Sequence, residues 1–193
     1  MILGITGGLG SGKSTVMKIL KNCYGASIHI ADEYGHEAFQ KGNICYGDII
    51  QMFGLEILDE AGQIDRDCLS KVVYSDPSKL HMLNRIIHPY VWERIEQEVA
   101  KHIHDSLVVI ESAILIEAGY SEVCDKIWGV FCKKEIRIER LISSRGYSVE
   151  KAEGIMRQQM SEWELRSYCD AVIENDGKLE HLEQQIEKLL CTK

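Results

Sequence analysis

One short run near the start of the chain carries the strongest chemical signal. Gly7-Gly8-Leu9-Gly10-Ser11-Gly12-Lys13-Ser14-Thr15 follows the apolar stretch Met1-Ile2-Leu3-Gly4-Ile5-Thr6 and precedes Val16-Met17-Lys18-Ile19-Leu20, which has helical spacing. A strand, then G-x-x-x-x-G-K-S from Gly7 to Ser14, then a helix is the pattern of a phosphate-binding loop. Glycines let the main chain wrap around an anion so that several N–H groups converge on it. A helix starting near Lys13 adds the positive end of its dipole. The expected cradle is Gly8, Leu9, Gly10, Ser11, Gly12, Lys13, Ser14 and Thr15. Lys13 would reach the β- and γ-phosphates of a nucleotide, and the Ser14 hydroxyl would ligate Mg²⁺. A chance glycine-rich turn is the alternative, but every fixed position of the pattern matches.

Two acids and a basic cluster could complete such a site. Asp32 follows Ile28-His29-Ile30-Ala31, and Glu111 follows Leu107-Val108-Val109-Ile110. A phosphoryl-transfer site needs a carboxylate to hold Mg²⁺, directly or through water, and one to take a proton from an attacking hydroxyl. Asp32 and Glu111 are open to either role, or to capping a helix as ordinary loop acids. Lys133, Lys134, Arg137, Arg140 and Arg145 cluster further on, followed by Arg157 and Arg166. Lys133, Arg137 and Arg140 share one helical face. Glu135, Glu139 and Glu150 make a solvated, ion-paired helix the bland reading. Planar guanidinium groups directly after a strand also suit a clamp or lid over a γ-phosphate, with Arg140 the first choice.

The elements that must position these groups alternate in type. Residues 1–6, Leu107–Ile110 and Lys126–Phe131 are near-continuous apolar runs, with Ala171–Ile173 and Ser27–Ile30 as shorter ones. Such runs fit strands buried on both faces of a parallel sheet. Between them, residues 79–103 carry Leu80, Leu83, Ile86, Ile87, Val91, Ile95 and Val99 at helical spacing, with Pro89 expected to interrupt or kink the stretch. Residues 178–190 place Leu179, Leu182, Ile186 and Leu189 on one face. The fold class is therefore α/β, a three-layer α/β/α arrangement whose ligands bind at the carboxyl ends of the strands. Residues 33–105 lack a clear core strand and read as a mostly helical insertion.

Composition narrows the partners. The 193-residue chain is 45% hydrophobic, enough for a core, and its net charge of −8 argues against broad nucleic-acid binding. No apolar stretch reaches the roughly 18 residues of a membrane span. The N-terminal apolar run leads straight into the glycine loop and reads as a strand, not a signal peptide. Seven cysteines without a C-x-x-C pair imply reduced, mostly buried thiols in the cytoplasm. His102 and His104 read as surface histidines.

The ordered set of motifs resembles the dephospho-CoA kinase family over nearly the full length. The stretch Gly4–Thr15 fits the family's opening, and Ile30-Ala31-Asp32 sits at its D-A-D. Phe53-Gly54 and Gly62-Gln63-Ile64-Asp65-Arg66 with Leu69 fit its F-G and G-x-I-D-R segments. Leu83 and Ile86-Ile87-His88-Pro89 fit L-x-x-I-x-H-P, and Glu111–Glu117 sits at D-x-P-L-L-F-E. Arg140-Leu141 with Arg145, then Gln159, Asp170–Ile173 and Asn175-Asp176-Gly177 fit the closing elements. Ile30 stands where the family has the first Asp of D-A-D, Ala113 and Ile116 where it has proline and phenylalanine, and Cys169 where it has alanine.

The resemblance implies a P-loop kinase that moves the γ-phosphate of ATP, with Mg²⁺, to the ribose 3′-hydroxyl of dephospho-CoA. Residues 1–32, 106–132 and 168–193 would form the nucleotide core, 33–105 the acceptor domain and 133–167 a lid. By position, Asp32 would be the general base, with Glu111 or Asp65 next in line. Lys13 and Arg140 would neutralise the transferring phosphoryl group. Arg66, His88, Asp32 and Glu111 would lie toward the acceptor, and Asn175 and Gly177 near the adenine. A kinase for another small alcohol is the rival enzyme. A GTP switch lacks its N-K-x-D and D-x-x-G signatures here, and an inactive scaffold would bind ATP without transfer. Oligomeric state is left open.

Overall fold

The apolar runs pair side by side because none has a polar face to offer water. A computed structural model of the chain describes residues 1–191. In order, the elements are β1 (Ile2–Thr6), α1 (Lys13–Tyr24), β2 (Ser27–Ile30), α2 (Ala31–Glu37), α3 (Ile44–Phe53), α4 (Arg66–Tyr74), α5 (Pro77–Lys101), β3 (Val108–Glu111), β4 (Lys126–Phe131), α6 (Lys134–Arg145), α7 (Val149–Gln158), α8 (Glu162–Ser167), β5 (Ala171–Glu174) and α9 (Leu179–Cys191). The chain divides into two compact units, Met1–His29 with Lys101–Lys193, and Ile30–Ala100.

The sheet order is β2-β3-β1-β4-β5. β1 pairs in parallel with β3 (Ile2 opposite Val108, Ile5 opposite Glu111) and with β4 (Leu3 opposite Lys126, Thr6 opposite Gly129). β4 pairs in parallel with β5. Leu3, Ile5, Val109, Trp128, Val130 and Ile173 from the strands pack with Val16, Ile19 and Leu20 of α1 and Leu182 and Ile186 of α9. Two aspartates fix where neighbouring strands begin. Asp125, just before β4, accepts from the Ile2 amide at 2.6 Å and donates its own amide to Ile2 O at 2.8 Å. Asp170, just before β5, repeats this with Ile127, at 2.7 and 2.8 Å.

The unit Ile30–Ala100 is mostly helical, and among the described residues it carries an isolated antiparallel bridge between Leu58 and Ile64. The bridge closes a turn in which Asp59 Oδ1 accepts from the amides of Ala61 and Gln63. Helix α5 differs from expectation, because it continues through Pro89. An internal proline costs about 3 kcal/mol of helix stability. Leu83, Ile87, Val91, Ile95 and Val99 are all buried, and each buried side chain of this size contributes about 1.5–3 kcal/mol. Their combined burial outweighs the missing hydrogen bond.

The cysteines also depart from the sequence reading. All seven are free thiols, but only Cys45 and Cys132 are buried. Cys23 and Cys191 are exposed because they lie beyond Leu20 and Ile186, the last buried residues of their helices. His104 is exposed as expected, whereas the His102 ring packs against His29 with centroids 5.0 Å apart. Among the described residues no helix is long and apolar enough to cross a membrane.

Candidate functional site

The loop Gly7–Gly12 leaves β1 and turns into α1 through Gly12, whose φ of 97° lies in the left-handed region. A Cβ at Gly12 would overlap the amide nitrogen of Asn175, so backbone conformation and close approach both call for glycine here. No side chain caps α1, and its first turn holds no acid. The amides at the start of a helix have no intrahelical partners. Left uncapped, they form a seat for an anion. The hydroxyl of Ser11, a residue only 1% exposed, has no hydrogen-bond partner within the protein, and neither does that of Thr6. Orphaned donors beside an uncapped helix start fit a polyphosphate.

Lys13 is held at this seat from two sides. Its Nζ donates to Gly7 O at 2.8 Å and lies 3.4 Å from Glu111 Oε1. The β1–β3 register puts Glu111 opposite Ile5, one residue before the end of β1. The expected acid at the end of β3 is thus the ion-pair partner of the loop lysine. Ser14, the second residue of α1, is exposed.

Arg140 and Asn175 brace the loop from behind. Asn175 is buried and donates its side-chain amide to Ser11 O at 2.8 Å. Arg140 donates to Ser11 O at 3.3 Å and to Asn175 O at 2.9 Å, with Cys132 Sγ 3.4 Å away. Burial pushes the Cys132 thiol up to about 11, so it stays protonated at neutral pH. The guanidinium expected over a phosphate is therefore an anchor for main-chain carbonyls. Gly177 lies beside His181, whose Nδ1 is 3.5 Å from where a Cβ would stand. Arg137, ranked below Arg140 on sequence grounds, donates Nε to Leu9 O at 2.8 Å. Its only sequence signal is its place on the same helical face.

The remaining expected residues belong to the unit Ile30–Ala100. Asp32 is exposed in the first turn of α2, directly after β2. Arg66 opens α4, with Nη2 2.8 Å from His36 Nε2 and its guanidinium 5.7 Å from the centre of the Phe39 ring. His36 and Phe39 carried no sequence signal. Asp65 caps α4 by accepting from the amides of Asp67 and Cys68, so the reserve base is engaged as a helix cap. His88 lies on α5, where burial lowers its pKa below the usual imidazole range. Among the described residues no three His, Cys, Asp or Glu side chains group to hold a metal by themselves.

Residues 1–181 match the model of the dephospho-CoA kinase family, CoaE. The chain belongs to the dephospho-CoA kinase family. A dephospho-CoA kinase of Fusobacterium nucleatum is 37% identical over 192 residues, covering 100% of this chain and 98% of that protein. One from Carboxydothermus hydrogenoformans is 36% identical over 191 residues, covering 98% and 92%. A solved structure from Thermus thermophilus aligns with a TM-score of 0.85 at 32% identity, covering 98% of this chain and 96% of that one. A shikimate kinase from Bacteroides thetaiotaomicron, with a TM-score of 0.57 at 14% identity over 98% and 96% of the two chains, shares the fold alone. As a dephospho-CoA kinase family member, the protein is a kinase built on the P-loop fold.

Proposed function

We propose that the enzyme transfers the γ-phosphate of ATP to the ribose 3′-hydroxyl of dephospho-CoA, releasing ADP and CoA as the last step of CoA synthesis. The observation that carries this reading is the uncapped start of α1 with Lys13 fixed between Gly7 O and Glu111, in a chain of this family. In the reaction the bond from the 3′-oxygen to the γ-phosphorus forms as the bond to the β,γ-bridging oxygen breaks. The hydroxyl proton passes to Asp32, and ADP leaves with the electron pair.

Each residue has a part in this reading. The loop amides and the helix dipole bind the β-phosphate, and the Lys13 ammonium meets the charge that spreads over the γ-phosphoryl oxygens. Glu111 orients Lys13, while Arg140 and Asn175 keep the Ser11 carbonyl turned out of the cradle. Residues fit for Mg²⁺ are Ser14 and, through water, Asp32 or Glu111; the ion would supply positive charge against the charge that develops on the phosphoryl group. Arg66 and His88 serve the acceptor, in a unit that receives dephospho-CoA. The segment 133–167 covers the phosphates and excludes water, which would otherwise accept the phosphoryl group. The free thiols suit a reducing cytoplasm.

The test is direct. Purified protein with ATP, Mg²⁺ and dephospho-CoA should form CoA and ADP in equal amounts. A panel of nucleosides and other small alcohols should be poor acceptors. Efficient phosphorylation of one of them, with no CoA formed, would replace this reading with that of another small-alcohol kinase.

A further inference from the structure

Leu9 is held differently from the rest of the phosphate loop. Elsewhere the loop is tied mainly by the nucleotide core, with Arg140 of α6 adding a bond to Ser11 O: Ser11 N donates to Gly8 O, Lys13 Nζ to Gly7 O, Thr15 N to Gly12 O, and Asn175 to Ser11 O. At Leu9 both main-chain polar groups are taken by side chains of the segment after β4. The Leu9 amide donates to Gln159 Oε1 at 3.0 Å, and the Leu9 carbonyl accepts from Arg137 Nε at 2.8 Å. Arg137 Nη2 closes the ring by donating to the same Gln159 oxygen at 3.4 Å. Gln159 can reach because α7 ends at Gln158 and the next residue is extended, with φ −83° and ψ 155°.

The glycines on either side of Leu9 match this contact. A Cβ on Gly8 would overlap the Arg137 guanidinium, and one on Gly10 would stand 2.9 Å from Arg137 O. Close approach of the α6 backbone therefore accounts for glycine at Gly10 independently of any phosphate, while at Gly8 a side chain would displace the Arg137 guanidinium. Behind the ring lies a cavity of about 100 Å³, lined by Gly8, Ser11, Arg137, Gln159 and Glu162 among others. The hydrogen-bond acceptors of Arg137 are the Leu9 carbonyl and the Gln159 side-chain oxygen, and the Glu162 carboxylate lines the same cavity and acts on its charge.

We infer that Gln159 and Arg137 act together as positioning residues that set the Leu9 peptide, and through it the convergence of the loop amides, for nucleotide binding. This rests on the nucleotide reading of the loop given above. A loop held ready binds more tightly than one that must be ordered by its ligand. Gln159 touches main chain, not the reacting atoms, so its loss changes ATP binding and leaves the transfer step itself intact.

The test compares Gln159→Leu, Gln159→Glu, Arg137→Met and the Arg137→Met/Gln159→Leu pair with wild type, by calorimetric ATP binding, steady-state kinetics and thermal unfolding. Gln159→Leu should weaken ATP binding and raise its KM by about 10-fold, the effect of losing one buried hydrogen-bonded pairing. Its kcat should stay within about 2-fold of wild type and its melting temperature within about 2 °C. Gln159→Glu keeps an acceptor for Leu9 and Arg137 and should bind nearly as wild type. The double variant should be no weaker than the weaker single variant, because the two side chains act as one unit. Unchanged ATP binding in Gln159→Leu, or strictly additive losses in the pair, would overturn the inference. If Gln159→Leu fails to fold, Gln159→Glu decides: near-wild-type binding supports the inference, and folded protein with lost binding refutes it. Wild-type protein that bound no ATP would overturn the proposed function as well, which separates the two failures.

Discussion

The phosphate loop and the helical unit Ile30–Ala100 present their polar groups in opposite ways. In the loop, the uncapped main-chain amides make the seat, and the side chains of Asn175 and Arg140 brace it through Ser11 O. In the helical unit, side chains pair among themselves. Arg66 meets His36, and Glu37 accepts from both Tyr90 and Arg94. A site made of main chain tolerates few residue types, because glycine is needed wherever another chain segment comes close. A site made of paired side chains can be built from many combinations. That is why the loop announces itself in the sequence and the helical unit does not.

Breaking the loop should have the largest effect. Lys13→Ala is expected to lower turnover by about 10³-fold, from the loss of a cation placed where transition-state charge develops. Because the ammonium also faces Glu111 inside the unit, the same variant should melt at lower temperature. Adding Glu111→Gln should recover the melting temperature and leave turnover low. Recovery of turnover in the double variant would mean that Lys13 serves structure alone.

Asp32→Asn tests whether the helical unit supplies chemistry as well as binding. Turnover should fall by about 10²-fold with ATP affinity unchanged, the usual scale for a lost general base. An unaltered rate would shift the role to another acid. Asp65 is poorly placed for it, since its carboxylate caps α4. Arg66→Ala should raise the KM for dephospho-CoA by about 10-fold while that for ATP holds, on the scale of a lost charged hydrogen bond. A rise in the KM for ATP instead would erase the division of labour between the two regions.

The smallest effect concerns pH and stability. Burial depresses the folded-state pKa of His88, so between that value and the usual 6.5 or so the unfolded chain binds more protons than the folded one. Stability should therefore rise with pH through this window and level off above it. His88→Gln should flatten the slope of melting temperature against pH in the range just below the usual imidazole value of about 6.5. An identical slope in the variant would place the titration elsewhere.

Much of this organisation could be read from residue order, for reasons visible in particular elements. The β1–loop–α1 unit was legible because apolar run, glycine spacing and helical spacing agree over a short stretch. The strands β3 and β4 were legible because burial on both faces leaves an unbroken apolar string. Pro89 misled, since local backbone preference carries no information about the five side chains that hold α5 together. Arg140 was expected to face a phosphate, and its carbonyl partners on Ser11 and Asn175 depend on a fold that brings residues 129 and 35 positions apart together. The engagement of Arg137 and Gln159 with Leu9 was hidden for the same reason.

The aspartates that precede β4 and β5 have a consequence for how the chain assembles. Each grips the opening peptide of its neighbour through a two-way bond, across 123 residues in one case and 43 in the other. A parallel strand that slipped by one residue would exchange its side chains between the two faces of the sheet, and here it would also break both members of such a bond at once. Asp125 and Asp170 thus work as index pins against mis-threading. They reject a shifted alignment at the far rim of the sheet, so the glycine loop arrives at the opposite rim already in frame.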